Sequence, residues 1–427
     1  MTETIKIDPV CRVEGYGRIE VSLNQGEIEK LEVQLAEGSR FFEALVRGHS
    51  YEEVHHISCR ICAICSSVHQ LAALAAVEDA LKVTVSPQVK LLRELLIHGG
   101  NIESHALHIF CLAAPDVLGY SSAVSLADDH LEVVKLGLWL KKLGNEIQEL
   151  IAGRAIHSSN TAVGGFGKMP TRAQLQTLKG RLEKGLAAGE AAIEFLMTLE
   201  FPRYASSPSV FACLNPPEGQ FGFQGPTIIT STGAEFDIHD YQKICQERAV
   251  RYSHAKKSYF EEQPFMVGSL ARIALLGERL EGLALKARQQ LNLAPPYDNT
   301  VVNSLAQAVE MIFSLERSLA IVKQLLPNLN EKEALPSVTP QAGSGTGAIE
   351  APRGTLYHHY EFDAAGIVTA ADIITPTAQN AANLEKDIRA VVQNNPNLSK
   401  EDLSFAFEVM ARAYDPCISC SVHVLSR

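Results

Sequence analysis

Nowhere in this chain do about eighteen apolar residues run together without a charge, so no membrane-spanning helix is expected. Basic charge is not in excess either. The formal net charge is -11, which argues against nucleic acid as the main partner. The first residues, Met1-Thr2-Glu3-Thr4-Ile5-Lys6, lack a basic flank and an apolar core, so no secretory signal is expected. The glycine-rich stretch Val163-Gly164-Gly165-Phe166-Gly167 has no Gly-Lys-Ser/Thr after it and no strand signal before it, which counts against a phosphate cradle. No internal repeat is visible. The nine cysteines are odd in number and follow no regular framework. They read as thiols or metal ligands of a cytoplasmic protein, not as disulfides.

What is present is a globular composition, 46% hydrophobic and 20% charged, over 427 residues. That length can bury a large core as one domain or two. Residues 5–40 read as β-structure. Arg18 to Leu23 and Ile28 to Leu35 alternate around the turn signal Asn24-Gln25-Gly26, which predicts a hairpin. Helical periodicity runs from about Gln70 to Glu200. Gly99-Gly100 interrupts it, either as a kink or as a point of close packing. Thr171 reads as an N-cap, and Leu175, Leu178, Leu182 and Leu186 line one helical face. Residues 201–240 read as irregular loops with short strands. Two further helical stretches are expected at roughly 241–292 and 299–327. Ser337 to Gly347 would pass alone for a linker. A strand pair from Thr355 to Ile374, a turn at Pro376, and a last helix near Lys400–Tyr414 capped by Ser399 complete the chain. The expected class is α+β, mainly α, with a central bundle of long helices, an N-terminal β-hairpin and small peripheral β-structure.

Two stretches carry the strongest chemical signal. Near the N-terminus stands Arg60-Ile61-Cys62-Ala63-Ile64-Cys65-Ser66-Ser67-Val68-His69, and near the C-terminus Asp415-Pro416-Cys417-Ile418-Ser419-Cys420-Ser421-Val422-His423. Each C-x-x-C unit puts two sulfurs on one side of the backbone. Two units together supply four thiolates, a set suited to zinc, iron–sulfur or another thiophilic metal. A structural four-thiolate zinc site fits that spacing as well. Cys59 lies close to the first pair at the wrong spacing, and Cys11, Cys111, Cys213 and Cys245 are isolated and read as core residues.

The residues around the two pairs resemble the large subunit of nickel–iron hydrogenases. Arg12-Val13-Glu14-Gly15, Ser39-Arg40-Phe41-Phe42-Glu43, Ala351-Pro352-Arg353-Gly354 and Pro376-Thr377 fit the same family in chain order. The resemblance covers nearly the whole chain and implies one domain, 1–427, in which both pairs reach one site. It implies that Cys62, Cys65, Cys417 and Cys420 bind nickel, with Cys65 and Cys420 also bridging to an iron that carries carbon monoxide and cyanide. Hydrogen would be cleaved heterolytically and reversibly, with Cys417 or Arg353 taking the first proton and Glu14 passing it outward.

Arg353 would sit over the metals, held by Asp415 through a bidentate pair. Pro376 and Thr377 would line the cyanide pocket, and His69 would tune a cysteine sulfur. Glu43, the carbonyl of Ile373 and His423 would hold a magnesium ion. An iron–sulfur small subunit would take the electrons. The compact length and the segment Gly38 to Ala44 look most like cytoplasmic NAD(P)-linked or sulfur-reducing members, which implies further diaphorase-type electron-transfer subunits.

Two departures stand out. Ser104 occupies a position where the family often has an aspartate near the arginine, and Pro-Thr-Ala-Gln-Asn replaces a commoner Pro-Ser-Thr-Trp-Asn. Only Val424-Leu425-Ser426-Arg427 follows His423, so maturation without cleavage of a tail is expected. A non-catalytic relative of respiratory NADH dehydrogenase large subunits is the remaining alternative, weakened because those have lost the cysteine pairs that this chain keeps.

Overall fold

The computed structural model describes residues 2–38 and 41–422. Three N-terminal strands, β1 (Thr2–Ile7), β2 (Gly17–Asn24) and β3 (Glu27–Leu35), form an antiparallel meander, so the expected hairpin gains a third strand. Alternation along β2 drives Ile19, Val21 and Leu23 inward, opposite Val33 and Leu35 of β3.

Four long helices make the bundle. They are α1 (Ser66–Ala80), α2 (Pro87–Leu107), α3 (Ala123–Ala152) and α4 (Arg172–Leu196). A fifth, α5 (Asn303–Asn328), packs against α2 and α4. Thr171 caps α4 in a reciprocal box with Gln174, and Leu175, Leu178 and Leu182 face the core. Of the two readings of Gly99-Gly100, close packing holds. A Cβ on Gly99 would lie 2.8 Å from Ile147 of α3, so these helices cross where no side chain intervenes. Among the described residues no single helix is long and apolar enough to cross a membrane.

Helix α1 is buried almost all round, which a helix tolerates only inside a large core. Its cover is a strand that the sequence disguised as a linker. β4 (Gly343–Ala351) pairs with β5 (Gly354–Phe362), which pairs with β6 (Val368–Ile374), all antiparallel. The glycines of β4 are there for contact. A Cβ on Gly345 would come 2.2 Å from the carbonyl of Ala76, and one on Gly347 would come 2.1 Å from that of Ala72. Gly345→Ala or Gly347→Ala should therefore push β4 off α1 and lower stability by roughly 1–3 kcal/mol or more. Thermal melting of the purified variants checks this, and unchanged melting would show that the strand can shift freely.

Three local expectations need correction. After a one-turn helix at Tyr241–Ile244 the stretch to 268 is mainly short strands and bends, and longer helices begin only at Ser269–Leu276 and Gly282–Gln290. Pro376 makes no turn. It stands at the first position of α6 (Pro376–Asn394), where its missing N–H costs nothing. Cys11 is exposed and Cys111 half-buried, whereas Cys213 and Cys245 lie in the core as expected. The helix α7 (Lys400–Ala413) is capped by Ser399, whose hydroxyl accepts from the N–H of Asp402.

Candidate metal centre

The two cysteine pairs, 355 residues apart in sequence, converge. Cys62 and Cys417 sulfurs are 3.2 Å apart, as are those of Cys65 and Cys420. Cys417 and Cys420 approach to 2.7 Å. All four sulfurs lie within 4.8 Å of one another, all four residues are buried, and none is in a disulfide. Local structure explains the convergence. Cys62 is extended after a short helical turn, Cys65 stands at the N-cap of α1, and Cys417 at the N-cap of a one-turn helix, Ile418–Ser421. Each pair thus straddles a helix start, where both sulfurs project to one side.

The electrostatics of the set suit a cation. Hydrogen bonds from Cys417, Cys420 and Cys62 hold the Cys65 thiol well below its usual pKa, while burial pushes those of Cys417 and Cys420 well above theirs. The Cys65 thiolate is stabilised by its neighbours, while Cys417 and Cys420 resist ionisation until positive charge arrives. His69, Arg353, Pro376 and Thr377 line a small cavity with Cys65, Cys417 and Cys420. Cys59 is buried outside the four-sulfur group, with its thiol on the carbonyl of His56.

Arg353 enters the cavity from the β4–β5 turn. Gly354 has φ +134°, and a Cβ there would lie 2.3 Å from Val267, so only glycine lets the turn sit this close. Nε of Arg353 donates to the main-chain carbonyl of Asp415 at 2.6 Å and Nη2 donates to its carboxylate at 2.8 Å. The expected clamp therefore exists, but it is shared between backbone and side chain and is not a fork on one carboxylate. Nη1 is buried with no hydrogen-bond partner among the described residues. Burial opposes the charge on Arg353, but Asp415 and the sulfurs of Cys417, Cys65 and Cys62 outweigh it and hold its pKa above the usual range. The guanidinium stays charged with one N–H group unspent.

Glu14 meets the second cysteine pair directly. It bridges Cys417 through the backbone, and its main-chain oxygen accepts from the N–H of Ile418 at 2.9 Å. The Cys417 thiol donates to Glu14 Oε2 at 3.1 Å, and the Ser419 N–H donates to the same oxygen at 3.1 Å. The Ser419 hydroxyl donates to Oε1. Thr377, just inside α6, accepts from the Cys417 N–H at 2.9 Å and fixes that backbone. His69 Nδ1 lies 3.0 Å from His358 Nε2, which leaves Nε2 as its other ring nitrogen. Glu43 accepts from the N–H of Ile373 at 3.0 Å, and burial raises its pKa. Burial raises the pKa of Glu247 to about 7, with smaller contributions from Asp372 and Glu43. Oε1 of Glu247 is buried without a partner among the described residues. His423 lies outside the described residues.

Several residues behind the site carry no local sequence signal. Arg272 donates to the carbonyls of Ala351 and Pro352, each at 3.1 Å, and is itself held by Glu310 and Glu350 at 2.6 Å. This buried ionic group fixes the Arg353 turn. Gln307 of α5 donates to the second carboxylate oxygen of Asp415 at 3.1 Å. Ser104, by contrast, has a buried hydroxyl with no partner among the described residues, so it does not replace the missing aspartate.

Comparison with known proteins agrees with the geometry. A family model described as nickel-dependent hydrogenase matches residues 40–152 and 227–423, and a second described as HoxL-like matches residues 4–37. Sulfhydrogenase 1 subunit alpha of Pyrococcus furiosus is 36% identical over 421 residues, covering 99% of this chain and 98% of the relative. The NAD-reducing hydrogenase HoxS subunit beta of Cupriavidus necator is 28% identical, covering 100% and 96%. Among solved structures, an NAD+-reducing [NiFe]-hydrogenase in the H2-reduced state superposes with a TM-score of 0.87 at 28% identity, over 99% of both chains. With a family model over most of its length and a relative matched end to end, this chain belongs to the nickel-dependent hydrogenase family.

Proposed function

We infer that this chain is the catalytic large subunit of a nickel–iron hydrogenase, cleaving H2 reversibly into protons and electrons at the four-cysteine cavity. The observation that carries this is the convergence of both cysteine pairs within 4.8 Å beside the unspent Nη1 of Arg353. The donor set fits the metals. Cys62, Cys65, Cys417 and Cys420 would hold nickel, and Cys65 and Cys420 would be shared with iron. Both members of that shared pair line the cavity, which supports room for iron there. When bound, the metals supply the Lewis acidity and electron uptake that H2 cleavage needs.

The chain's own residues manage the proton and the site's shape. Arg353 is held charged by Asp415, so it serves as a donor, toward cyanide on iron or toward hydrogen itself. Cys417 is the better first proton acceptor, and Glu14 receives from its sulfur. Pro376 and Thr377 close the cyanide pocket, and His69 would tune a cysteine sulfur. Glu43, Ile373 and His423 would hold magnesium. Burial raises the pKa values of Glu43 and Glu247, and a dication there would favour their charged forms.

No thiol cluster besides these four cysteines is found among the described residues, so electrons leave through another chain. An iron–sulfur small subunit near Glu14 and Arg60 to His69 is the natural receiver, with NAD(P)- or flavin-linked subunits beyond it in the cytoplasm. The relatives, an NAD-reducing hydrogenase and a sulfhydrogenase, support further electron-transfer subunits of that kind. Residues 1–427 act as one large-subunit domain in this reading.

Arg353→Lys tests the reading. Lysine keeps the charge but cannot hold both Asp415 contacts and leave a donor in the cavity. Turnover should fall about a hundredfold or more, the usual scale for removing one oriented donor, with metal content unchanged. Full turnover in that variant would return Arg353 to a structural ion pair.

A further inference from the structure

Helix α6 is buried over its first two turns, and three amides stand there, Gln379, Asn380 and Asn383. Burying an amide is costly unless it finds hydrogen bonds, so its partners show what it holds. Asn380 closes on both main-chain groups of one residue. Its Oδ1 accepts from the N–H of Val267 at 2.9 Å, and its Nδ2 donates to the Val267 carbonyl at 3.2 Å. Val267 and Gly268 are the floor on which the Arg353 turn lies. Gly268 has φ +113°, and a Cβ there would come 3.0 Å from the Arg353 carbonyl oxygen. Gln379 holds the residue after that turn, because its Nε2 donates to the Thr355 carbonyl at 2.6 Å. Oε1 of Gln379 has no partner among the described residues, so the bond to Thr355 sets which way the amide points. The Thr355 hydroxyl donates at 2.6 Å to Glu350, its cross-strand partner, which ties β5 to β4 at the base of the turn.

The same helix holds the cysteine loop. Thr377 accepts from the Cys417 N–H at 2.9 Å. Asn383 donates to the Tyr414 hydroxyl at 2.7 Å, and that hydroxyl donates to Asp387 at 2.6 Å. Tyr414 directly precedes Asp415, whose carbonyl and carboxylate take two N–H groups of Arg353. Gln379 and Asn380 stand between Thr377 and Asn383 on a helix that rises 1.5 Å per residue. Contacts to both halves of the site therefore fall within roughly 9 Å of one rigid rod. Arg272 braces the carbonyls before Arg353, while α6 braces what lies beneath and after it. Neither Gln379 nor Asn380 lines the cysteine cavity. Gln379 also stands in the Pro-Thr-Ala-Gln-Asn segment, where this chain departs from the commoner family sequence.

We propose that Gln379 and Asn380 are positioning residues for Arg353. They hold the arginine turn at a fixed distance from the cysteine loop, which α6 holds in parallel through Thr377, Asn383 and Asp387. The helix thus sets where the guanidinium stands over the cavity. The placement of Arg353 follows from the hydrogen bonds, and its bearing on hydrogen cleavage rests on the proposed metal-centre reading.

The test uses the full-length, metal-loaded protein carrying Gln379→Met, Asn380→Asp or, as a control, Val391→Ala. Methionine fills the space of glutamine without a donor. Aspartate keeps the acceptor for the Val267 N–H but sets an oxygen against the Val267 carbonyl. Val391 is buried on α6 about three turns beyond Asn380, so its truncation loosens the same helix away from the site. Crystal structures of the first two variants should show Arg353 drawn off its Asp415 contacts, with the Cys417 N–H still on Thr377. Their cyanide bands in the infrared should shift, and kcat for hydrogen uptake should fall about tenfold to a hundredfold with KM for H2 little changed. The control should keep the wild-type bands and kcat even where its melting temperature falls as far as theirs. Arg353 in its wild-type place with wild-type bands and kcat in either variant would overturn the proposal, and so would an equal change in the control. If Asn380→Asp does not fold, Gln379→Met decides alone. Nickel and iron are measured on every sample. A wild-type protein holding neither would refute the metal-centre reading, while the position of Arg353 in the crystal structures would still decide the positioning role.

Discussion

Cys65→Ala should yield a protein with neither nickel nor hydrogen uptake. The Cys65 sulfur lies 3.2 Å from that of Cys420. Its thiol is held down by hydrogen bonds from Cys417, Cys420 and Cys62, so it is the first thiolate available to a metal. It also stands at the N-cap of a fifteen-residue helix, whose positive end favours a thiolate. Removing it deletes one ligand of four and a sulfur shared by both proposed metals. The remaining three cannot offer a soft metal a closed set. Alanine at Cys62, Cys417 or Cys420 should have the same outcome. Cys213→Ala and Cys245→Ala should keep the metal, because those thiols are buried in apolar core with pKa values pushed well above the usual range. Nickel and iron analysis of the purified variants, with hydrogen uptake in parallel, checks the series. Stoichiometric nickel and wild-type uptake after loss of any one of the four would remove it from the ligand set.

Glu14→Gln should separate proton export from cleavage. The Cys417 thiol already donates to Glu14, and Ser419 holds the carboxylate by both its N–H and its hydroxyl. Glutamine fills the same space and can keep one acceptor oxygen on Ser419, so folding and metal loading should be normal. It cannot accept a proton and release it. Net hydrogen oxidation should fall by about a hundredfold or more, the range expected when an acid–base group in the path is lost. Interconversion of para- and ortho-hydrogen needs cleavage and recombination at the metals without export, and it should persist. Near-normal net turnover would place the exit elsewhere and leave Glu14 as a tie between the N-terminal segment and the Cys417 loop.

Much of this site was legible in the sequence because its ligands come in short, rigid units. C-x-x-C, Ala-Pro-Arg-Gly and Arg-Val-Glu-Gly each set local geometry within a few residues, and the fold had only to bring them together. Helix caps were equally local, which is why Thr171 and Ser399 could be placed from their neighbours. Pro376 was misread because proline before a polar run signals a turn and a helix start alike, and only the buried length of α6 decides between them. Gly343 to Gly347 looked like a linker because glycine carries no apolar pattern, yet it forms a strand where α1 leaves no room for side chains. Arg272 and Gln307 were invisible for a different reason. The partners described for them lie 38 to 108 residues away, and no local spacing encodes a contact made only when distant elements pack.

The most direct test of the central claim is an infrared spectrum of the purified, active protein in the region where only metal-bound carbon monoxide and cyanide absorb. A nickel–iron centre held by Cys62, Cys65, Cys417 and Cys420 predicts both kinds of band, with nickel and iron present in equal amounts. A silent spectrum from a protein that carries zinc alone would contradict the account and leave the four cysteines as a structural clamp between the two ends of the chain.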